Sequence, residues 1–280
     1  QEHPDPDARA RITSGLCNLT LETSMLGTLV KQGAHIALLK LAKLEPIWSK
    51  QQAIILMGLC NLLSVSENQR KILDGGALTT FENVTKHSSS AGDVPAKFLD
   101  NLAKCKELSA MALANIANEL KQHTEKTHAR LLSMMTALSN DAKETASATL
   151  QHICATAFSN FSTYMAAPSS ECSSLLSDDV IEAIDRLCAS TEPNILLYSA
   201  IAFENLSKNP ANHTKLFAQG IVGALAKLAQ KGDVEVRSTC ASTLCNLSTS
   251  ASDSVEGLIG VLAILEEQSN DPKIIQYSAK

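Results

Sequence analysis

The sequence predicts an all-α protein built from about six repeats of a three-helix unit. Two observations carry this prediction: the amino-acid composition, and a short Asn-centred motif that recurs along the chain. Hydrophobic residues make up 45% of the 280 residues and aromatic residues only 4%. Ala, Leu and Ser dominate, a mix that favours packed helices over sheets.

The recurring motif places an Asn between two large apolar residues. It occurs as GLCNLT, GLCNLL, LANIAN, AFSNFS, AFENLS and TLCNLS, with its Asn at Asn18, Asn61, Asn115, Asn160, Asn205 and Asn246. The intervals between these residues are 43, 54, 45, 45 and 41. Four of the five fall in the period of about 40 to 47 residues that is typical of solenoid repeats. The long interval contains a Ser/Gly/Pro-rich stretch at 86–97, which we predict to be a loop inserted in the third repeat.

The residues around each Asn have a constant character. The residue two before the Asn is always Leu or Phe, and the residue after it is Leu, Ile or Phe. These two positions share one face of a helix, so we expect them to be buried. The residue three before the Asn is Gly, Ala or Thr, small enough to let a neighbouring helix approach closely.

A Gly recurs 15 residues after three of the Asn residues, at Gly33, Gly76 and Gly220. An apolar, periodic stretch follows each one, so we predict a corner between two helices with a positive φ at the Gly. The stretch SVEGLIGVLAIL at 254–265 is interpreted in the same way. The predicted unit is a short helix, a corner, a second helix and a long third helix that ends in the Asn motif.

The third helix of this unit resembles that of the armadillo repeat, A-x-A-L-x-N-L-S, and the resemblance covers essentially the whole chain. It implies a right-handed α-solenoid over residues 1–280, a single domain truncated at both ends. We expect truncation because the first and last stretches both have the phase of a third helix, whereas a finished solenoid needs polar terminal units. Two-helix HEAT repeats are the alternative architecture.

Stacked third helices would place one Asn per repeat along a concave groove. An Asn amide offers a donor and an acceptor, which match the C=O and N–H of a bound peptide whatever its sequence. The predicted peptide-binding groove consists of the six Asn residues and of residues four positions before an Asn, namely Met57, Met111, Thr156, Ile201 and Ser242. The resemblance implies the same use of the Asn row. The alternative is that the Asn side chains cap helices or bond the backbone of the neighbouring repeat.

The groove residues also restrict the ligand. Armadillo repeats that bind nuclear-localisation signals carry a Trp four residues before the Asn, and no Trp occupies that position here, so such signals are disfavoured. The residues eight before the Asn are not basic, which disfavours a strongly acidic ligand; they are Ala10, Ala53, Glu107, His152, Leu197 and Ser238. We expect a neutral or partly apolar segment of a partner protein.

Composition and motifs argue against several other functions. The net charge of -5 offers no basic face for nucleic acid, and no window is apolar enough for membrane insertion. The eight cysteines contain no C-x-x-C pair, so we expect no metal site and no cofactor. No catalytic motif occurs, and we predict that the chain is not an enzyme.

The sequence therefore predicts a non-catalytic protein–protein interaction scaffold that binds an extended or helical partner segment along the groove. The alternative is a structural component of a larger cytoskeletal or ciliary assembly with no groove ligand. We expect the cysteines to be unpaired, small apolar core residues, which indicates a reducing compartment. We therefore expect a cytoplasmic location, with nuclear or cytoskeleton-associated locations as alternatives.

Overall fold

The computed structural model describes residues 5–87, 94–168, 174–250 and 255–268. In these ranges the chain forms fifteen α-helices, four short 3-10 helices and the turns between them, with no β-strand. In chain order the α-helices are α1 (Pro6–Leu19), α2 (Leu26–Lys31), α3 (Ala34–Ala42), α4 (Lys50–Leu63), α5 (Ser66–Asp74), α6 (Ala77–Thr85), α7 (Leu99–Ala117), α8 (Glu125–Glu144), α9 (Ala148–Met165), α10 (Asp178–Leu187), α11 (Pro193–Ser207), α12 (His213–Ala218), α13 (Ile221–Lys231), α14 (Val234–Ser248) and α15 (Val255–Gln268). The 3-10 helices are Thr23–Met25, Ala96–Phe98, Leu120–Gln122 and Pro210–Asn212. The predicted all-α class is confirmed.

All six copies of the Asn motif lie near the C-terminal ends of helices, namely α1, α4, α7, α9, α11 and α14. The second repeat shows the predicted unit most simply. A 3-10 turn and α2 lead to a corner at Gly33, α3 follows, and α4 ends in the motif around Asn61.

The large apolar residues beside each Asn form the core. In the last five copies, the residues two before and one after the Asn are all 4% exposed or less; they are Leu59, Leu62, Leu113, Ile116, Phe158, Phe161, Phe203, Leu206, Leu244 and Leu247. The first copy differs, because Leu19 is 45% exposed. Helix α1 contacts α3 and α4, and no helix among the described residues precedes it to cover Leu19.

The small residue three before the Asn permits close helix packing, as predicted. At Gly58 on α4, an added Cβ would lie 3.1 Å from Cδ1 of Leu38 and 3.8 Å from the Cα of Cys17. The backbones of α1 and α4 therefore approach each other closely at this point. The corresponding Ala112, Ala157 and Ala202 are fully buried.

The Gly corners have the predicted backbone conformation. Gly33, Gly76 and Gly220 have φ values of 85°, 96° and 77°, and each caps the N-terminus of the following helix. Residues with a Cβ rarely adopt this left-handed region, which explains the Gly. The prediction of a fourth corner at 254–265 is wrong, because Gly257 lies inside α15.

The fourth repeat departs from the predicted unit. In place of a short helix, a corner and a second helix, it has the 3-10 turn Leu120–Gln122 and one long helix, α8, of 20 residues. The hydroxyl of Thr124 caps α8 by accepting from the backbone N–H of Thr127, over 3.3 Å. After α8, Ala146 turns the chain towards α9 with a φ of 53°.

The chain divides into two compact units, Gln1–Ile153 and Cys154–Lys280, and the boundary falls inside α9. In the first unit, α4 contacts α1 and α7, and α6 contacts α7 and α8. In the second, α11 contacts α14, and α14 contacts α13 and α15. No helix in the described part of the chain is both long enough and apolar enough to cross a membrane. Half of the predicted loop at 86–97, residues 88–93, lies outside the described residues, and its last two residues, Ala96 and Lys97, begin the 3-10 helix Ala96–Phe98. The loop therefore stays a prediction, as does the single domain over 1–280.

Candidate functional site

The six Asn side chains are accessible to different degrees. In the first unit, Asn18 is exposed, and Asn61 and Asn115 are half-buried. In the second unit, Asn160, Asn205 and Asn246 are half-buried. Each Asn therefore lies at the border between the buried stripe of its helix and the solvent.

Three of the Asn amides donate a hydrogen bond to a hydroxyl at the end of the preceding copy of the motif. Nδ2 of Asn61 donates to Oγ1 of Thr20 over 3.1 Å, and Nδ2 of Asn246 donates to Oγ of Ser207 over 3.0 Å. Nδ2 of Asn205 donates to Oγ of Ser162 over 3.2 Å. In every case the acceptor lies two residues after the preceding Asn, so the same bond recurs between successive repeats.

The acceptor hydroxyls are held in place by their own helices. The hydroxyl of Thr20 donates to the carbonyl of Cys17, that of Ser162 to Ser159 and that of Ser207 to Glu204, over 2.7, 2.6 and 2.7 Å. Because each hydroxyl donates its single proton to a carbonyl of its own helix, it can only accept a hydrogen bond from the Asn amide. This fixes the orientation of the amide: nitrogen towards the neighbouring repeat.

Asn115 reaches the same neighbouring helix in another way. The residue two after Asn61 is Leu63, which has no hydroxyl. Nδ2 of Asn115 instead donates to the backbone carbonyl of Cys60, over 3.4 Å. The hydrogen bond from the Asn amide to the neighbouring repeat, called the inward bond below, is therefore retained without a Ser or Thr.

The inward bond uses only part of each amide. In Asn61, Asn115 and Asn246, Oδ1 has no hydrogen-bond partner among the described residues. An Asn amide has two N–H groups and one carbonyl, so each of these side chains can still accept a hydrogen bond from another molecule.

Asn205 differs because both the nitrogen and the oxygen of its amide are hydrogen-bonded within the protein. Its Nδ2 donates to both Ser162 and Thr163, over 3.2 Å each, and its Oδ1 accepts from Nζ of Lys208 over 2.9 Å. A ligand that donates to Oδ1 of Asn205 would compete with the ammonium group of Lys208, whose side chain is 46% exposed.

The residues four before the Asn are accessible and differ between the two units. On adjacent helices of the first unit, Met57 and Met111 are 37% and 43% exposed. In the second unit, Thr156, Ile201 and Ser242 are half-buried, and Oγ of Ser242 donates to Oε1 of Glu204 over 2.9 Å. The first unit thus offers apolar, adaptable methionine surface, and the second a mostly polar surface.

The hydroxyl two after the Asn is a site residue that the sequence analysis missed, although its signal was visible. Four copies of the motif have the form Asn-x-Ser/Thr, at Asn18, Asn160, Asn205 and Asn246. The pattern also matches a glycosylation sequon. The hydroxyls of Thr20, Ser162 and Ser207 each accept a hydrogen bond from the Asn amide of the following copy.

Six of the seven described cysteines are buried, and Cys245 is half-buried. Burial raises the pKa of the Cys60 thiol to about 11 and that of the Cys105 and Cys240 thiols to about 12. None of the seven described cysteines forms a disulfide. Within the described ranges, no cluster of three His, Cys, Asp or Glu side chains could hold a metal ion.

No protein-family model matches the sequence, and no curated protein matches it. Several solved structures do match. The designed armadillo repeat protein YIII(Dq)4CqI is 17% identical, with a TM-score of 0.66 over 88% of this chain and 96% of its own. This chain has an armadillo-type repeat fold. The designed armadillo protein YIII(Dq.V1)4CPAF, solved in complex with the peptide (KR)4, is 18% identical, with a TM-score of 0.62 over 86% of this chain and 90% of its own.

A computationally designed armadillo repeat protein for modular peptide recognition is also similar, with 17% identity and a TM-score of 0.61 over 82% of this chain and 92% of its own. At these identities the likeness concerns the fold. It confirms the predicted all-α solenoid.

Proposed function

We propose that this chain is a non-catalytic protein–protein interaction scaffold, and that the Asn-bearing third helices of each unit bind a segment of a partner protein. The observation that supports this most directly is the fixed amide of Asn61, Asn115 and Asn246. Each points its nitrogen at the neighbouring repeat and keeps Oδ1 without a partner among the described residues. A preorganised acceptor that recurs in these three copies of the motif suits the N–H groups of a peptide backbone.

The partner segment proposed here is neutral or partly apolar, at least for the first unit. Met57 and Met111 expose thioether surface beside Asn61 and Asn115, and methionine adapts to varied apolar side chains. The complex of a designed armadillo protein with (KR)4 supports a peptide ligand for such a fold. Its basic peptide does not suit this chain, because the tryptophans that would stack on Lys and Arg stems are missing.

We place the protein in the cytoplasm, on the strength of its buried free cysteines, which persist in reducing compartments. Nuclear and cytoskeleton-associated locations remain the alternatives. The raised pKa values of the Cys60 and Cys240 thiols also make these cysteines poor nucleophiles, in keeping with a function that involves no catalysis.

A second candidate function is supported by the inward amide bonds themselves. Since Nδ2 of Asn61 and Asn246 already joins neighbouring repeats, the Asn row has a structural role that needs no ligand. The chain would then be a building component of a larger cytoskeletal or ciliary assembly. The two functions differ in the expected peptide affinity of a folded variant that lacks Oδ1 of the Asn residues: a groove that binds peptide loses affinity, and a structural Asn row does not.

The experiment selects short peptides from a random library on the parent protein and compares their affinity for two kinds of variant. Asn61→Ala with Asn115→Ala removes both the inward and the outward bonds. Thr20→Val is the matched control, because it removes the inward acceptor of Asn61 and leaves the Asn in place. Circular dichroism first confirms that each variant is folded.

If the Asn residues bind peptide, the selected peptides lose about tenfold or more in affinity for the Asn variant, since each lost hydrogen bond costs about 1 kcal/mol. Thr20→Val should lose less affinity than the Asn variant, because it frees the amide of Asn61 and keeps both Asn carbonyls. Equal affinity for all three proteins would place peptide binding elsewhere and favour the assembly component.

A further inference from the structure

A cleft lies between α6 and α8 in the first unit, away from the Asn-bearing helices. Its volume is about 370 Å³. The residues that line it include Glu82, Lys86, Lys126, Arg130, Met134 and Ala137. None of them belongs to a third helix, so this surface is separate from the one proposed above.

The charges around the cleft are unbalanced. Lys86, Lys126 and Arg130 are cationic, and Glu82 is the single acidic residue of the lining. Nε of Arg130 pairs with Oε1 of Glu82 over 2.7 Å. Lys86 and Lys126 are exposed and form no ion pair with a described residue. Two positive charges are thus in excess here, in a chain whose net charge is -5.

The ion pair leaves the two terminal Nη groups of the Arg130 guanidinium available for a ligand. Arg130 bonds Glu82 through Nε, and its two terminal Nη groups have no hydrogen-bond partner among the described residues. The side chain of Arg130 is 34% exposed. The hydrogen bond from Arg130, with the charges of Arg130 and Lys86, lowers the pKa of Glu82, so this carboxylate stays ionised and keeps the guanidinium in position.

Two further features favour an anion with an apolar neighbour. Lys126 lies in the first turn of α8, where the helix dipole is positive. Met134 is 3% exposed and Ala137 is half-buried, so they provide an apolar floor. A pair of Nη groups binds a carboxylate with two parallel hydrogen bonds.

We propose that this cleft binds an acidic segment of a partner protein, in which two acidic side chains meet Arg130 and the two lysines and an adjacent apolar side chain contacts Met134. The two negative charges match the two positive charges in excess. This goes beyond the proposed function, because it adds a second docking surface with a different ligand chemistry. The expectation against acidic ligands concerned the third helices only.

The test uses fluorescent synthetic peptides that carry a pair of Glu residues next to a Leu, at adjacent, alternate and i,i+4 spacings. Each has a matched peptide in which Gln replaces both Glu residues. Fluorescence anisotropy measures binding to the full chain at low salt. The expected result is that at least one Glu peptide binds about tenfold more tightly than its Gln match, and that the difference shrinks as salt rises.

The variants then locate the site. Lys126→Gln and Arg130→Gln should each weaken the Glu peptide about fivefold or more, and Arg130→Lys should also weaken it, because Lys retains the charge and lacks the fork. Lys143→Gln is the matched control: it removes one charge from the exposed far end of the same helix. Equal binding of Glu and Gln peptides at every spacing would overturn the proposal. So would an equal loss in Lys143→Gln, which indicates non-specific attraction, or binding of inorganic phosphate alone, which indicates a small-anion site.

Discussion

Nδ2 of Asn246 donates a hydrogen bond to Oγ of Ser207 over 3.0 Å, and this bond joins the third helices of two successive repeats. Asn61 and Thr20 make the same connection in the first unit, over 3.1 Å. The acceptor lies two residues after the preceding Asn in both cases. The Asn-x-Ser/Thr triplet therefore complements itself from one repeat to the next: the Asn of one copy bonds the hydroxyl of the copy before it.

This complementarity predicts that Asn246 and Ser207 are energetically coupled. We expect Asn246→Ala and Ser207→Ala each to lower the free energy of unfolding by about 1 kcal/mol, because Ser207 is buried and both variants lose the same bond. The double variant should cost less than the sum, by about 0.5 to 1.5 kcal/mol. Urea denaturation followed by circular dichroism measures all three.

Ser248→Ala is the control for that cycle. Ser248 is the equivalent hydroxyl of the sixth copy, but it is exposed, and no Asn among the described residues donates to it. Its loss should change the free energy of unfolding by less than about 0.5 kcal/mol. Strictly additive effects of Asn246→Ala and Ser207→Ala would show that the bond contributes nothing to stability.

The sequence was sufficient to predict the third helices and three of the four predicted corners. The apolar residues that flank Asn205, Phe203 and Leu206, are buried because their spacing puts them on one helix face, and this spacing is visible in the sequence. The positive φ of Gly76 follows from the type of residue and its position. Both features depend on local rules that need no knowledge of the neighbouring repeat.

The direction of the Asn amides could not be predicted in this way. Whether Asn61 turns its nitrogen outwards or towards Thr20 depends on how closely α1 and α4 approach, and that distance is set by packing around Gly58. The single long α8 was missed for a related reason. A helix continues or breaks at a corner according to its tertiary contacts, and the fourth repeat has no Gly to mark the corner.

The corner at Gly220 predicts opposite effects for two identical substitutions on one helix. Gly220 has a φ of 77° and no atom within 4 Å of an added Cβ, so Gly220→Ala should cost about 1 kcal/mol through backbone strain alone. Gly223 lies inside α13 with equally open space, so Gly223→Ala should stabilise by about 0.5 to 1 kcal/mol. Thermal unfolding of the two variants decides, and a loss of stability in both would mean that this argument from φ fails.

The ion pair between Lys106 of α7 and Asp141 of α8 is a buried connection within the first unit, with side chains 1% and 10% exposed. We expect Lys106→Met to destabilise the protein by about 3 kcal/mol or more, because the Asp141 carboxylate loses its buried cation. Lys106→Met combined with Asp141→Leu should recover most of that loss, since an apolar pair needs no charge compensation. Chemical denaturation of the single and double variants measures the recovery. A double variant as unstable as the single one would contradict the charge argument.

His123 joins two repeats through Gln69. Its Nε2 lies 3.1 Å from Oε1 of Gln69, and Nε2 of Gln69 donates to the carbonyls of Leu63 and Asn115, over 3.2 and 3.0 Å. Burial, followed by the charge of His128, lowers the pKa of His123 below the ordinary value of 6.5. The unfolded chain therefore takes up a proton at a higher pH than the folded chain does.

This difference fixes the sign of the pH dependence. Above pH 6.5 the histidine is neutral in both states and its contribution to stability is complete; as the pH falls from 6.5 towards the lower pKa of the folded state, protonation favours the unfolded chain and stability is lost. We expect the urea midpoint of the parent to fall between about pH 7.5 and pH 5.5, and to fall less in His123→Gln, whose side chain does not titrate. Some dependence should persist in the variant, because burial and the charge of Lys71 also lower the pKa of His35. An unchanged pH dependence in His123→Gln would show that the half-buried ring of His123 does not sense pH in this range.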